Sequence, residues 1–293
     1  MKWLVIGSRG ESYMKELIRE KIEKTKQESD DREEYRTAMW KTWVQKNHGP
    51  GERKIYKSMV DYLDGARKRY KKRARQLITE KSSGATHLRA VIDWKKLMAV
   101  FEEAKILQEE LNKSWGGVWT ITGNKTLKQI WAATNTQLPL PLDFAYREPP
   151  EGAISKSVSE IATTTGEDIR KVIQNSLVAG DSVPEIAKKI DSLSTFNRKR
   201  ATLIARTEAT RAVNAATNDA YNMAAETGLK VRKEWLSSRD NKVRPEHAML
   251  DGQVVDTGEM FSVDQYSAAS PGFFDDAGMD INCRCTIIPV LDD

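Results

Sequence analysis

The sequence predicts a mainly α-helical α+β protein with a small antiparallel β-containing unit at its C-terminal end. Three observations predict it. Long stretches of the first 228 residues place apolar residues at helical spacing between charged ones. Prolines gather at 138–150, where no helix can continue. After Gly228 the period shortens to the alternation of strands, broken by closely spaced turn residues. The 293 residues then divide into a helical region 1–136, a Pro-rich linker 137–153, a helical segment 154–228 and a small α+β unit 229–293.

From the N-terminus, Met1 to Gly7 holds one basic residue and a short apolar run, without the apolar core and cleavage site of a signal peptide. No apolar run approaches the roughly 20 residues that cross a bilayer. The expectation is a protein made and kept in a cytoplasm, with no membrane partner. Glu11 to Lys46 is charged, with Leu17, Ile18, Ile22, Tyr35, Met39 and Trp43 as a narrow apolar stripe. Asn47-His48-Gly49-Pro50-Gly51 is expected to break that helix. A second helix follows to about Ile78 on Tyr56, Met59, Val60, Leu63 and Ala66.

Within it, Arg67, Lys68, Arg69, Lys71, Lys72, Arg73 and Arg75 surround Tyr70. Such a run can neutralise phosphates of double-stranded DNA and release counterions, or it can be an ordinary solvated helix face. The net charge of +5 hides an asymmetry between this basic stretch and an acidic C-terminal end. Ser82-Ser83-Gly84 is a further break, and Asp93 to Asn112 a further amphipathic helix, ended by Gly116-Gly117. Trp115, Trp119 and Trp131 read as core.

The second half is punctuated more sharply. Thr164 with Glu167 fits a capping box, and Gly180 closes the helix it opens. Ser182 with Glu185 fits another, with Pro184 in the first turn. Asn197 can cap a long alanine-rich helix through Thr227, ended by Gly228. Inside that helix lie Arg206-Thr207-Glu208 and Arg211, read as structural pairing rather than acid–base machinery. Lys230 to Leu236 reads as a strand, Arg239-Asp240-Asn241 as a turn, and Pro245 as the start of one helical turn holding His247 and ended by Gly252. Short strands are expected around Val254-Val255 and from Cys283 to Val290, with a long acidic loop from Ser267 to Gly278.

Both cysteines lie here. In a strand, Cys283 and Cys285 would share one face, with Arg284 opposite, a geometry that discourages a bridge between them. Two readings stand. The thiols are small buried hydrophobes, or they bind a soft metal such as zinc together with His247 and a fourth ligand such as Asp240 or Asp251. Asp240, His247 and Arg244 can also be read as base, metal ligand and phosphate clamp of a metal-dependent nuclease, acting in DNA packaging or ejection. No Walker-type loop or Gly-x-Ser-x-Gly elbow is present.

The ordered set Ala205-Arg206-Thr207-Glu208, Trp235, Asp240, Arg244, His247, Leu250-Asp251-Gly252, Phe261 and Asn282-Cys283-Arg284-Cys285 resembles the phage Mu F-like head morphogenesis family, minor head proteins of tailed bacteriophages. The resemblance runs from about Ile154 to Pro289. It implies a virion component in the head interior or at the portal vertex, assembled in the host cytoplasm, with portal or major capsid protein as partner and the genome as a further contact. It attaches no enzymatic activity to the shared region, and the short tail after Cys285 leaves no space for the toxin-like domains some relatives carry. Many relatives place His-Pro ahead of the Asn-Cys-Arg-Cys, where this chain has Asp280-Ile281, which removes one candidate zinc ligand. No cofactor is otherwise expected.

Overall fold

The computed structural model describes residues 27–79, 93–134, 144, 147–150 and 152–291. The expected apolar positions Leu17, Ile18 and Ile22, the Ser82-Ser83-Gly84 break and Leu138 to Leu142 lie outside them. The fold is mainly α, with a small antiparallel C-terminal unit. Helix α1 covers 27–43 and passes through a π-helical turn, Val44–His48, directly into α2, Gly49–Thr79.

The expected break at 47–51 is therefore a change of helical pitch. Pro50 is tolerated because the π turn shifts the hydrogen-bond ladder there, and the Lys46 carbonyl that its missing N–H would meet accepts from Lys125 instead. Gly51 lets two neighbours in: a Cβ there would lie 3.2 Å from Val118 Cγ1 and 3.7 Å from Val213 Cγ2.

Helix α3 is the short Trp94–Met98, capped by the Asp93 side chain, which accepts the Lys96 N–H. Helix α4, Val100–Thr134, runs straight through Gly116-Gly117 instead of ending there. Trp115 and Trp119 stack in its buried face, and Phe144 lies against Trp119 and over Gly123, where no Cβ would fit. Packing on both sides outweighs the weak helix propensity of the glycines.

Helix α5, Ser155–Ala179, begins well before the expected box at Thr164. That hydroxyl instead donates back to the Glu160 carbonyl within the helix. Gly180 closes α5 in the left-handed region at φ 77°. Helix α6, Val183–Asp191, has the Ser182–Glu185 capping box, and helix α7, Arg198–Glu226, has Asn197 as its cap.

Helix α7 sits at the centre. Its alanines allow α2 and α4 to approach closely, and buried residues from 43 to 223 form one apolar cluster. Helices from both sides of the 137–153 segment thus share a core.

Strand β1, Val231–Leu236, then enters a three-stranded antiparallel sheet between β2, Val254–Asp256, and β5, Thr286–Leu291, with Trp235 opposite Ile287. Helix α8, Pro245–Leu250, links β1 to β2. The stretch read as a loop from Ser267 is partly a hairpin, β3 Phe261–Val263 with β4 Tyr266–Ala268, followed by the turn of helix α9, Ala277–Asp280. A second apolar cluster, centred on Trp235, Leu250, Phe261, Phe274 and Met279, fills this unit.

Candidate functional site

The site is built where α7 meets the stretch 282–286. Four polar residues interrupt the alanine stripe of α7, and each binds this segment, three of them through its backbone. Arg206 donates to Asn282 Oδ1 at 3.0 Å, and the Asn282 N–H donates to Thr207 Oγ1 at 3.0 Å. Thr210 donates to the Cys283 carbonyl at 2.6 Å. Asn214 donates to the Cys285 carbonyl at 2.9 Å and accepts from the Thr286 hydroxyl at 2.9 Å. Non-sheet backbone buried away from water needs such partners. Asn282 itself takes a left-handed φ of 61°, which asparagine tolerates better than most residues.

That turn places Cys283 and Cys285 just ahead of β5 rather than within a strand. Both sulfurs still reach one partner: Sγ of Cys285 lies 3.4 Å and Sγ of Cys283 3.6 Å from His247 Nδ1. All three residues are buried, and both thiols are free. The buried thiols act as a pair. The hydrogen bond from Cys283 holds Cys285 well below the usual thiol range, and the same contact pushes Cys283 up. The His247 ring meets Trp235 edge-on and lies beside Phe274, each at a centroid distance of 5.7 Å.

Asp240 is not part of this group. Its carboxylate pairs with the Arg284 guanidinium at 2.6 Å and accepts the Lys242 N–H. Arg244 donates to the carbonyls of Met279 and Ile281. Asp251 accepts the Ser237 N–H and pairs with Arg36 and Arg239. Gly252 turns the chain at φ 83° while its N–H bonds the Trp235 carbonyl. The three groups of the nuclease reading therefore do not converge: His247 faces the sulfurs, Asp240 faces Arg284, and Arg244 is spent on backbone.

Glu208 accepts from Ser157 at 2.8 Å and lies 3.7 Å from Arg211, and burial pushes its carboxyl up. It is a buried pairing, as its sequence context predicts.

The basic run on α2 divides. Arg69 and Arg73 both pair with the fully buried Glu103, while Arg67 reaches Asp64, and Lys71 reaches Asp191 at 2.5 Å. Lys68, Lys72 and Arg75 are exposed and lie on one helical face.

Several residues of the site carry no obvious sequence signal. The Trp40 indole donates to the Arg284 carbonyl, and Arg36 pairs with the buried Glu234 at 2.8 Å. His48 contacts Thr210 at 3.1 Å, and burial lowers its pKa to about 4. Since the Thr210 proton goes to the Cys283 carbonyl, His48 Nε2 is the donor. Lys233, fully buried, donates to Asn218 and the Ala269 carbonyl, and burial lowers its pKa to about 8. Thr210 and Asn214 had one clue: they follow Arg206 at four and eight residues, polar breaks on one face of an alanine-rich helix.

Fold and site together define a helical body whose central helix holds a small cysteine–histidine α+β unit. Residues 167–288 match the family described as Phage Mu protein F like protein. The chain is 30% identical over 126 residues to minor head protein GP7 of Bacillus phage SPP1, covering 43% of this chain and 41% of that protein. It is 37% identical over 139 residues to an Enterococcus faecalis protein named NAD(+)–arginine ADP-ribosyltransferase EFV, covering 47% of this chain and 28% of that protein. An uncharacterized Haemophilus influenzae protein is 33% identical over 126 residues, 43% of this chain and 25% of its own length. The chain thus spans well under half the length of these curated relatives. No solved structure matches it. The likeness to the Mu F-like family thus lies in residues 167–288, somewhat under half of the chain.

Proposed function

We propose that this chain is a structural component of a tailed-phage head, acting in assembly at the portal vertex and staying in the virion. One observation carries the reading: the family's motif residues are consumed inside the unit. Arg206, Thr207, Arg244, Asp251, Asn282 and Arg284 each bond a neighbouring segment, and none of them lines a shared open site with His247. An assembly protein needs a firmly held surface more than converging reactive groups. The likeness to the SPP1 minor head protein supports the same reading.

The partner is then the portal or the major capsid protein. The exposed Lys68, Lys72 and Arg75 are the residues left to meet the genome, a smaller patch than the seven-residue run in the sequence. Among the described residues no helix is long and apolar enough to cross a membrane.

Mass spectrometry of purified particles and of empty precursors tests this. A low, fixed copy number in both, with crosslinks to portal protein, is expected. Absence from both, together with cleavage of DNA by the purified chain and a divalent metal, would overturn it in favour of a packaging nuclease.

A further inference from the structure

The arrangement of His247, Cys283 and Cys285 has a geometric oddity. An imidazole Nδ1 offers one lone pair or one proton, so it can serve one thiol. Here two sulfurs approach the same nitrogen, at 3.4 and 3.6 Å, and the three atoms all lie within 4.8 Å of one another. A pair of inert buried thiols has no reason to converge in this way. A central cation does: tetrahedral ligation with Zn–S of about 2.3 Å and Zn–N of about 2.0–2.1 Å sets sulfur and nitrogen about 3.6 Å apart.

We propose that Cys283 Sγ, Cys285 Sγ and His247 Nδ1 bind one zinc ion, which fastens α8 to the 282–286 turn and so locks the terminal unit. Two thiolates and an imidazole are a donor set that favours zinc over magnesium or calcium. The sulfurs are also prepared for negative charge. The Cys285 N–H donates to Cys283 Sγ at 3.4 Å. Trp235 and Phe274 close the apolar shell around the imidazole. Among the described residues no further Cys, His, Asp or Glu joins the group, and Asp240 is held away by Arg284. A water molecule completes the fourth position. Both sulfurs bind as thiolates, so protons compete with the ion and affinity falls as pH is lowered. This inference stands independently of the portal-vertex reading.

The test uses the full chain produced in zinc-supplied cells and dialysed against metal-free buffer. Elemental analysis is expected to return about one zinc per chain, by the ligand set above. Cys285→Ser and His247→Ala are expected to remove it. Because those variants can lose their fold with their metal, the wild-type chain provides the second measurement. Stripping with a chelator should lower its melting temperature, and adding cobalt(II) should restore it with thiolate charge-transfer bands and the strong visible bands of a four-coordinate ion. Absence of bound metal, with both thiols reacting at once in the native chain and no cobalt–thiolate absorption, overturns the proposal. Stoichiometric copper(I) in place of zinc overturns the assignment of the ion.

Discussion

The helical body and the C-terminal unit bury polar groups in opposite ways. In the body the backbone satisfies itself through helical hydrogen bonds, and the buried carboxylate of Glu103 is answered by the long side chains of Arg69 and Arg73. In the terminal unit, strands are short, and backbone from Asn282 to Cys285 lies outside regular pairing. There the bonds come from particular side chains on α7, at particular spacings. Many sequences satisfy a helix, whereas few satisfy this turn. The difference explains why the body reads only as composition and the terminal unit as a motif.

Breaking the two regions should therefore have unequal effects. Asn214→Ala strips partners from the buried Cys285 carbonyl and Thr286 hydroxyl together. At about 1–3 kcal/mol for each buried group left unpaired, a loss of about 3–4 kcal/mol in unfolding free energy is expected by denaturant titration.

Acid sharpens the comparison through His48, which sits where the body touches the Cys283 turn. Its folded pKa of about 4 lies below the unfolded value of 6.5, so the unfolded chain binds the proton first. Its contribution is therefore complete above pH 6.5 and is lost as pH falls towards 4, by about 2–3 kcal/mol. His48→Gln should flatten that slope in thermal melts between pH 7 and 5, with any metal-linked acid sensitivity remaining in both proteins.

Glu103→Gln probes the body itself. Arg69 and Arg73 are 31% and 20% exposed, so water takes over part of their solvation, and a cost of about 1–2 kcal/mol is expected. The smallest effect belongs to Lys72→Glu on the exposed face. Stability should stay within about 0.5 kcal/mol, while DNA affinity and its salt dependence fall if this face meets the genome.

The legible parts of the sequence share a physical cause. Ser182 with Glu185, Asn197, Gly180 and Pro245 act within a few residues of themselves, so local chemistry settles them. The misread parts were decided from afar. Gly49-Pro50-Gly51 and Gly116-Gly117 remain helical because the helices around them are packed: α4 and α7 press on Gly51, Lys54 of α2 lies on Gly117, and Trp115 and Trp119 are buried on either side of the second pair. Thr164 looks like a cap but has helix before it. The 261–268 hairpin is too short for its alternation to register. Cys283, Cys285 and His247 were legible as a group, while Asp240 was not separable from them, because its pairing with Arg284 depends on how the turn at Asn282 aims the chain. Half of the basic run looked free because its acidic partners, Glu103 and Asp191, lie on other helices.

Hydrogen exchange on wild type and Asn214→Ala, followed by mass spectrometry, tests most directly whether α7 side chains hold the terminal unit. Faster exchange across 277–291 and β1 is expected in the variant, with amides of α2 and α4 still protected. Equal acceleration in both regions, or no change at 282–286, would contradict it.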